Sequence, residues 1–522
     1  MNRTGLGLIR RTTRCVLSAA PAALAIALAA YLLGCGGTTG ESPSPGPPPA
    51  FQALTAAEAQ GLVQKAAEAA DSTTMVIAVV DRAGRILAVF RKPAAPAVAT
   101  GNFGALVDPN ELAVSLARTA AFFSNDQAPL SSRTVRFISG IHFPPGISFT
   151  PNAALYGIEN TNRGCTLSTN YILSKEVPPA RSINGSTTGL GITTGKADLN
   201  DSDPTTVNPG GVPLFKNGHV VGGIGVAGVP GDVAEFAAFS SAVANGFGPS
   251  PAPPGVVVID GIALPFVNQT TRPVGVGPGS FAGSFVVGPG ASPGPPPEGD
   301  LIAPAASSVG ALTAAEVRQV IDNAIATANQ TRAVIRLPLG SRARMVIAVA
   351  DLDGTLIGLH RMPDATVFSI DVAATKARNM VYFNSASRSV ADLNEVPIGT
   401  AVTNRTISFG AQPLYPPGID GTVPGPFFNL YQRDVANPCT QGFQPPGPNQ
   451  SGMVFFPGSV PLYRNGVLVG GLGISGDGVE QDDFVAAGGA AGFEAPPAIR
   501  ADQLIVRDAR LPYLKFPRNP TE

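Results

Sequence analysis

Val76-Ile-Ala-Val-Val-Asp81-Arg-Ala-Gly84 recurs later in the chain as Val346-Ile-Ala-Val-Ala-Asp351-Leu-Asp-Gly354. A β-branched run closed by Asp-x-x-Gly reads as a buried strand entering a tight turn. Working outward, the neighbours repeat as well. Leu54-Thr-Ala-Ala-Glu58 returns as Leu312-Thr-Ala-Ala-Glu316, and Arg133-Thr-Val-Arg-Phe137 as Arg405-Thr-Ile-Ser-Phe409. Pro144-Pro-Gly-Ile147 matches Pro416-Pro-Gly-Ile419, and Pro213-Leu-Phe-Lys-Asn-Gly218 matches Pro461-Leu-Tyr-Arg-Asn-Gly466. Gly222-Gly-Ile-Gly-Val-Ala-Gly228 is echoed by Gly470-Gly-Leu-Gly-Ile-Ser-Gly476. Six blocks in one order mark a duplicated domain, expected over 53–268 and 309–518.

Each copy reads the same way. Thr55 or Thr313, with Glu three residues on, caps an Ala-rich helix. The Val/Ile strand turns back into a second strand, a helix follows (about 109–123 and 368–383), and a Pro-rich insertion comes next. An Asn-Gly hairpin then leads into the glycine strand and a last helix. Hairpins separated by helices predict an α/β (α+β) fold: two copies of an antiparallel sheet flanked by helices. Residues 269–308, rich in Gly, Pro and Ser, are expected to form a flexible linker.

The N-terminus has its own logic. Arg3, Arg10, Arg11 and Arg14 precede an apolar run to Leu33, then Leu32-Leu33-Gly34-Cys35. That order resembles a bacterial lipoprotein signal, predicting a signal peptide over 1–34, lipidation at Cys35 and a flexible tether over 35–52. An uncleaved membrane helix is the alternative. Extracytoplasmic anchoring at the cell envelope follows, with the outer membrane favoured in a two-membrane cell because Gly36 is not aspartate. The chain has 35 basic and 36 acidic residues; without the four leader arginines, 31 stand against 36. A net charge near −5 gives no basic patch for nucleic acid.

Familiar catalytic patterns are missing: no G-x-S-x-G, no H-E-x-x-H and no C-x-x-C. The glycine strand spells G-x-G-x-x-G, but inside a hairpin rather than between strand and helix, so close backbone approach explains it better than a dinucleotide. None of the three histidines, His142, His219 and His360, is duplicated. The shared polar residues are Asp81/Asp351, which suit turn closure, and Arg91/Arg361 and Arg118/Arg378, which suit pairing with a carboxylate of their own domain or of a ligand. Cys165 and Cys439 sit at similar distances past their Pro-Pro-Gly-Ile blocks; they form one interdomain disulfide or remain two free thiols.

Taken in order, these blocks resemble the GlcG/HbpS family of haem-binding proteins, also found as the C-terminal domain of PduO-type proteins. The resemblance implies profilin-like layers in each copy. It rests on the Val-Ile-Ala-Val strands, Thr375-Lys376-Ala377 and the two glycine strands. The family's helix lysine is kept as Lys376 but replaced by Leu116 in the first copy. The resemblance therefore implies a site in the second copy, with the first structural. It implies haem, or a similar flat carboxylate-bearing ligand, bound without catalysis near His360, Arg361, Lys376 and Arg378; no separate metal site is assigned. The alternatives are an envelope protein-interaction module and a haem-degrading enzyme. Because family members self-associate, the two copies are expected to pair as an internal pseudo-dimer in a monomeric chain.

Overall fold

The computed structural model describes residues 49–100, 106–139, 208–248, 266–417 and 421–522, with isolated residues between 162 and 263 and at 419. Cys35 with the leader, most of the tether, His142 and most of the first insertion lie outside the described residues. Residues 49–522 form a compact unit of their own.

Strands of four or more residues build two sheets. The first half contains α1 (Ala56–Ala69), β1 (Val76–Asp81), β2 (Ile86–Arg91), α2 (Pro109–Phe123) and α3 (Ser132–Ser139). It continues with β3 (Gly211–Lys216), β4 (His219–Ala227), α4 (Gly231–Ala244) and β5 (Ser284–Val287). The second contains β6 (Gly299–Ile302), α5 (Ala314–Gln330), β7 (Met345–Ala350), β8 (Leu356–Arg361) and α6 (Ser369–Asn384). It ends with α7 (Asn404–Gly410), α8 (Phe428–Ala436), β9 (Ser459–Arg464), β10 (Val467–Gly476) and α9 (Val479–Gly489).

The sheet orders are β3-β4-β1-β2-β5 and β9-β10-β7-β8-β6. All these pairings are antiparallel. Helices cover the sheets, giving the mixed α/β architecture expected. Both Thr-x-x-Glu starts are complete capping boxes: Thr55 and Thr313 accept from the amides of Glu58 and Glu316 at 3.2 Å.

The glycine strands owe their composition to helices. A Cβ on Gly223 or Gly225 would stand 2.2 or 2.0 Å from the carbonyl oxygens of Ala117 and Ala113 in α2. Gly471 and Gly473 stand in the same relation to Ala377 and Ala373 of α6. Any side chain there would push the helix off the sheet. No dinucleotide is needed to explain the motif.

The stretch read as a flexible linker is ordered, which corrects that expectation. Its residues form the edge strands of both sheets, β5 against β2 and β6 against β8. Phe281 and Phe285 lie 4.9 and 5.2 Å from the Phe90 ring, and Ser292 donates to Asp81 at 2.9 Å. Composition misled because an edge strand needs partners on one side only, so prolines and glycines flank it without loss. The tether expectation is also too long by its last residues: the Pro49 carbonyl lies 2.7 Å from His219 Nε2.

The halves share a core. Phe123 of α2 stacks on Phe368, just before α6, with ring centroids 3.9 Å apart. Asn125 and Gln127 donate to the carbonyls of Ile335 and Leu337 at 2.8 Å. Asp364 accepts from the Asp126 amide at 3.1 Å and from Arg336 at 2.6 Å. The Cys165 and Cys439 sulfurs stand 2.03 Å apart, a disulfide joining the two insertions. Among the described residues, no helix is long and apolar enough to cross a membrane.

Amide hydrogen exchange checks the revised role of 269–308. Ladder amides in 284–287 and 299–302 are expected to be protected well beyond unstructured rates. Exchange at unstructured rates throughout both segments would restore the flexible linker.

Candidate functional site

Of the four residues implied as ligand contacts, three are committed inside the protein. Arg361 is 1% exposed; its Nε donates to the Ala365 carbonyl at 3.0 Å and its Nη1 to that of Pro297 at 3.1 Å. Arg378 is fully buried and donates through Nε to the Gly354 carbonyl at 3.0 Å. Arg118 does the same to Gly84 at 2.9 Å, so this arginine braces the strand turn in both halves. Burial lowers Arg361 and Arg378 to about 10, leaving both cationic at neutral pH.

Lys376 is also fully buried. Its ammonium donates to the Ile474 carbonyl at 2.7 Å and to Asp482 Oδ2 at 3.0 Å, and lies 4.8 Å from the centroid of the Phe456 ring. Burial pulls the lysine down and pushes the Asp482 carboxyl up to about 7, desolvation outweighing their attraction. The pair holds α9 to α6 and the end of β10.

His360 differs. It is only partly buried, and its Nδ1 lies 2.7 Å from Asp300 Oδ1. Asp300 also pairs with Arg318 of α5. Burial pushes the Asp300 carboxyl up, but His360 and Arg318 together hold it below its ordinary value. No protein partner is found for His360 Nε2 among the described residues, whereas His219 has both ring nitrogens engaged, by Asp126 and Pro49. Neighbours along a strand face opposite ways. His360 therefore looks toward α5 while Arg361 looks toward the loop into α6, and the four residues do not converge on one pocket.

Sequence reasoning missed Asp300 and Arg318. Asp300 lay in the presumed linker, and nothing in the spacing connected either residue to His360. The aspartates at the strand ends fit turn closure: Asp81 accepts from the amides of Ala83 and Arg85 at 3.0 and 2.9 Å. A pair common to both halves also emerged, Arg133 with Glu235 at 2.7 Å and Arg405 with Asp483. Its arginines lie in the repeated Arg-Thr blocks. Among the described residues no group of three or more His, Cys, Asp and Glu could hold a metal ion.

Residues 312–491 match the family model "Haem degrading protein HbpS-like". This stretch is similar to HbpS-like domains. The corrinoid adenosyltransferases PduO of Salmonella typhimurium (strain LT2) and Citrobacter freundii are each 29% identical over 156 residues, 30% of this chain and 34% of theirs. The chain thus spans about a third of the length of the curated relatives it matches. Among solved structures, a PduOC–haem complex is similar at 27% identity and TM-score 0.23, covering 35% of this chain and 96% of that one. Klebsiella pneumoniae ORFY is similar at 20% identity and TM-score 0.23, with 35% and 90% covered.

Urea unfolding tests the buried pair of the HbpS-like half. Lys376→Met strands Asp482 in the interior and is expected to cost about 3 kcal/mol or more. The double variant Lys376→Met/Asp482→Leu is expected to recover most of that loss. Equal losses in single and double variants would mean that the two side chains do not act as a pair.

Proposed function

We propose that the protein is an envelope lipoprotein, anchored through Cys35, that binds haem or a similar flat, carboxylate-bearing apolar ligand without turning it over. The observation that carries the reading is the Asp300–His360 pair within the HbpS-like half. A carboxylate on Nδ1 fixes the tautomer and leaves Nε2 as an available donor atom, the arrangement that supports a metal-bound imidazole. Haem would supply an iron for that nitrogen. The residues fit haem to this extent: His360 has a donor atom to give, and Arg318 places a partly exposed cation beside it. Arg361, Lys376 and Arg378 are spent on internal bonds and fit poorly as partners for a ligand carboxylate.

The first half belongs to the proposal as a diverged copy of the same domain. Identical sheet order, equivalent capping boxes and the shared arginine–acid pair support this, and the stacked α2 and α6 ends support an internal pseudo-dimer. Corrinoid adenosyl transfer belongs to relatives three times as long as their match to this chain, and it is not part of the reading.

Haem titration of residues 49–522, followed in the Soret region, tests the ligand. Saturable binding is expected, weakened tenfold to a hundredfold in Asp300→Asn and more in His360→Ala. Unchanged binding in both variants would move the site elsewhere, and no saturable band would end the haem reading. In cells, labelled palmitate is expected on the wild-type chain and not on Cys35→Ser; labelling of both would refute the anchor.

A further inference from the structure

The two halves treat one location in opposite ways. In the second half, Lys376, Asp482 and Phe456 fill the space between α6, the end of β10 and the start of α9. Shared geometry defines their counterparts. Gly458 and Gly210 are both left-handed, at φ +115° and +112°, and each accepts from the strand beside it: Ile474 to Gly458 at 2.8 Å, Val226 to Gly210 at 3.0 Å. Gly473 sits on Ala373 as Gly225 sits on Ala113, so Lys376 corresponds to Leu116. The Arg405–Asp483 and Arg133–Glu235 pairs align Asp482 with Ala234. Counting back two residues from the glycines aligns Phe456 with Asn208.

Asp to Ala and Phe to Asn remove volume, Lys to Leu shortens the side chain at nearly equal volume, and the two charges vanish. The space stays open. A cavity of about 440 Å³ lies there, lined among others by Val98, Leu112, Leu116, Asn208, Val226 and Ala234. Its size falls within the range of small-molecule sites. Among the described residues no charged side chain lines it, so an ionised ligand would find no charged partner there. The lining mixes apolar side chains with polar backbone, and the Asn208 side-chain nitrogen there is buried and lacks a hydrogen-bond acceptor.

The geometry points to a binding site in the first half for a small neutral molecule that combines apolar surface with a hydrogen-bond acceptor such as a carbonyl oxygen. The site is separate from His360 and does not rest on the haem reading. The second half has the same site, closed by its own lysine. The half expected to be structural thus holds the open pocket, and the half expected to hold the ligand has it plugged.

The probe is prodan, a neutral naphthyl ketone whose emission shifts to the blue in apolar surroundings. Residues 49–522 are expected to bind one equivalent saturably. Leu116→Lys/Ala234→Asp recreates the plug and is expected to weaken binding at least about tenfold, the equivalent of 1.4 kcal/mol. Ala234→Leu narrows the cavity without adding charge and is expected to do the same, which covers the case in which the charged graft fails to fold. His360→Ala is expected to leave prodan binding unchanged even where haem binding is lost. The proposal is overturned by absent saturable binding, by full-strength binding to a folded Ala234→Leu variant, or by loss of binding in His360→Ala.

Discussion

The contact between a helix backbone and a side-chain-free stripe of strand governs the rest of this structure. Gly471 and Gly473 let α6 lie against β10, with the Ala373 and Ala377 carbonyls where side chains would otherwise stand. That closeness puts Lys376 within reach of the Ile474 carbonyl and of Asp482 at the start of α9. It also explains the alanines of α2 and α6, since bulk on the helix would undo what glycine on the strand permits. The first half repeats the approach with Gly223 and Gly225 but not the ammonium, and the difference leaves an open cavity.

A second constraint is the completion of each sheet from the segment between the halves. β5 and β6 lie close in sequence yet close two different sheets, one at the end of its half and the other at the start. The segment thereby carries chemistry: Asp300 orients His360, and Glu298 and the Pro297 carbonyl engage Arg361. Arg336, Asp364 and Asp477 form a buried charge network beside the junction with Asp126 and Gln127. Burying so many charges is tolerable because each is bonded to another or to backbone.

Much of the fold was legible before any coordinates. The repeated blocks, both capping boxes, the central strands and the Ala-rich helices were placed to within a residue or two, because periodicity, caps and Asn-Gly turns act over short range. The edge strands were not legible. Their Gly- and Pro-rich flanks have the composition of a linker, and only the unpaired edges of β2 and β8 give them a role. The candidate site was read less well than the fold. His360 was chosen because the family resemblance pointed near it, while its partners Asp300 and Arg318 come from an unsuspected edge strand and a helix face. Lys376 was noticed as kept in one copy and lost in the other, but whether that meant retained or lost function was judged from the resemblance.

The sequence by itself determined the recurring blocks, the order of elements, the sheet-on-helix architecture and the conspicuous exchange of Lys376 for Leu116. These follow from patterns that local physical chemistry imposes on consecutive residues. Only the tertiary structure showed that Arg361 and Arg378 brace backbone carbonyls, since their acceptors lie in turns brought back by the fold. It alone decided that exchanging lysine, aspartate and phenylalanine for leucine, alanine and asparagine opens one shared space. Those residues lie far apart along the chain, and their volumes add only where packing brings them together.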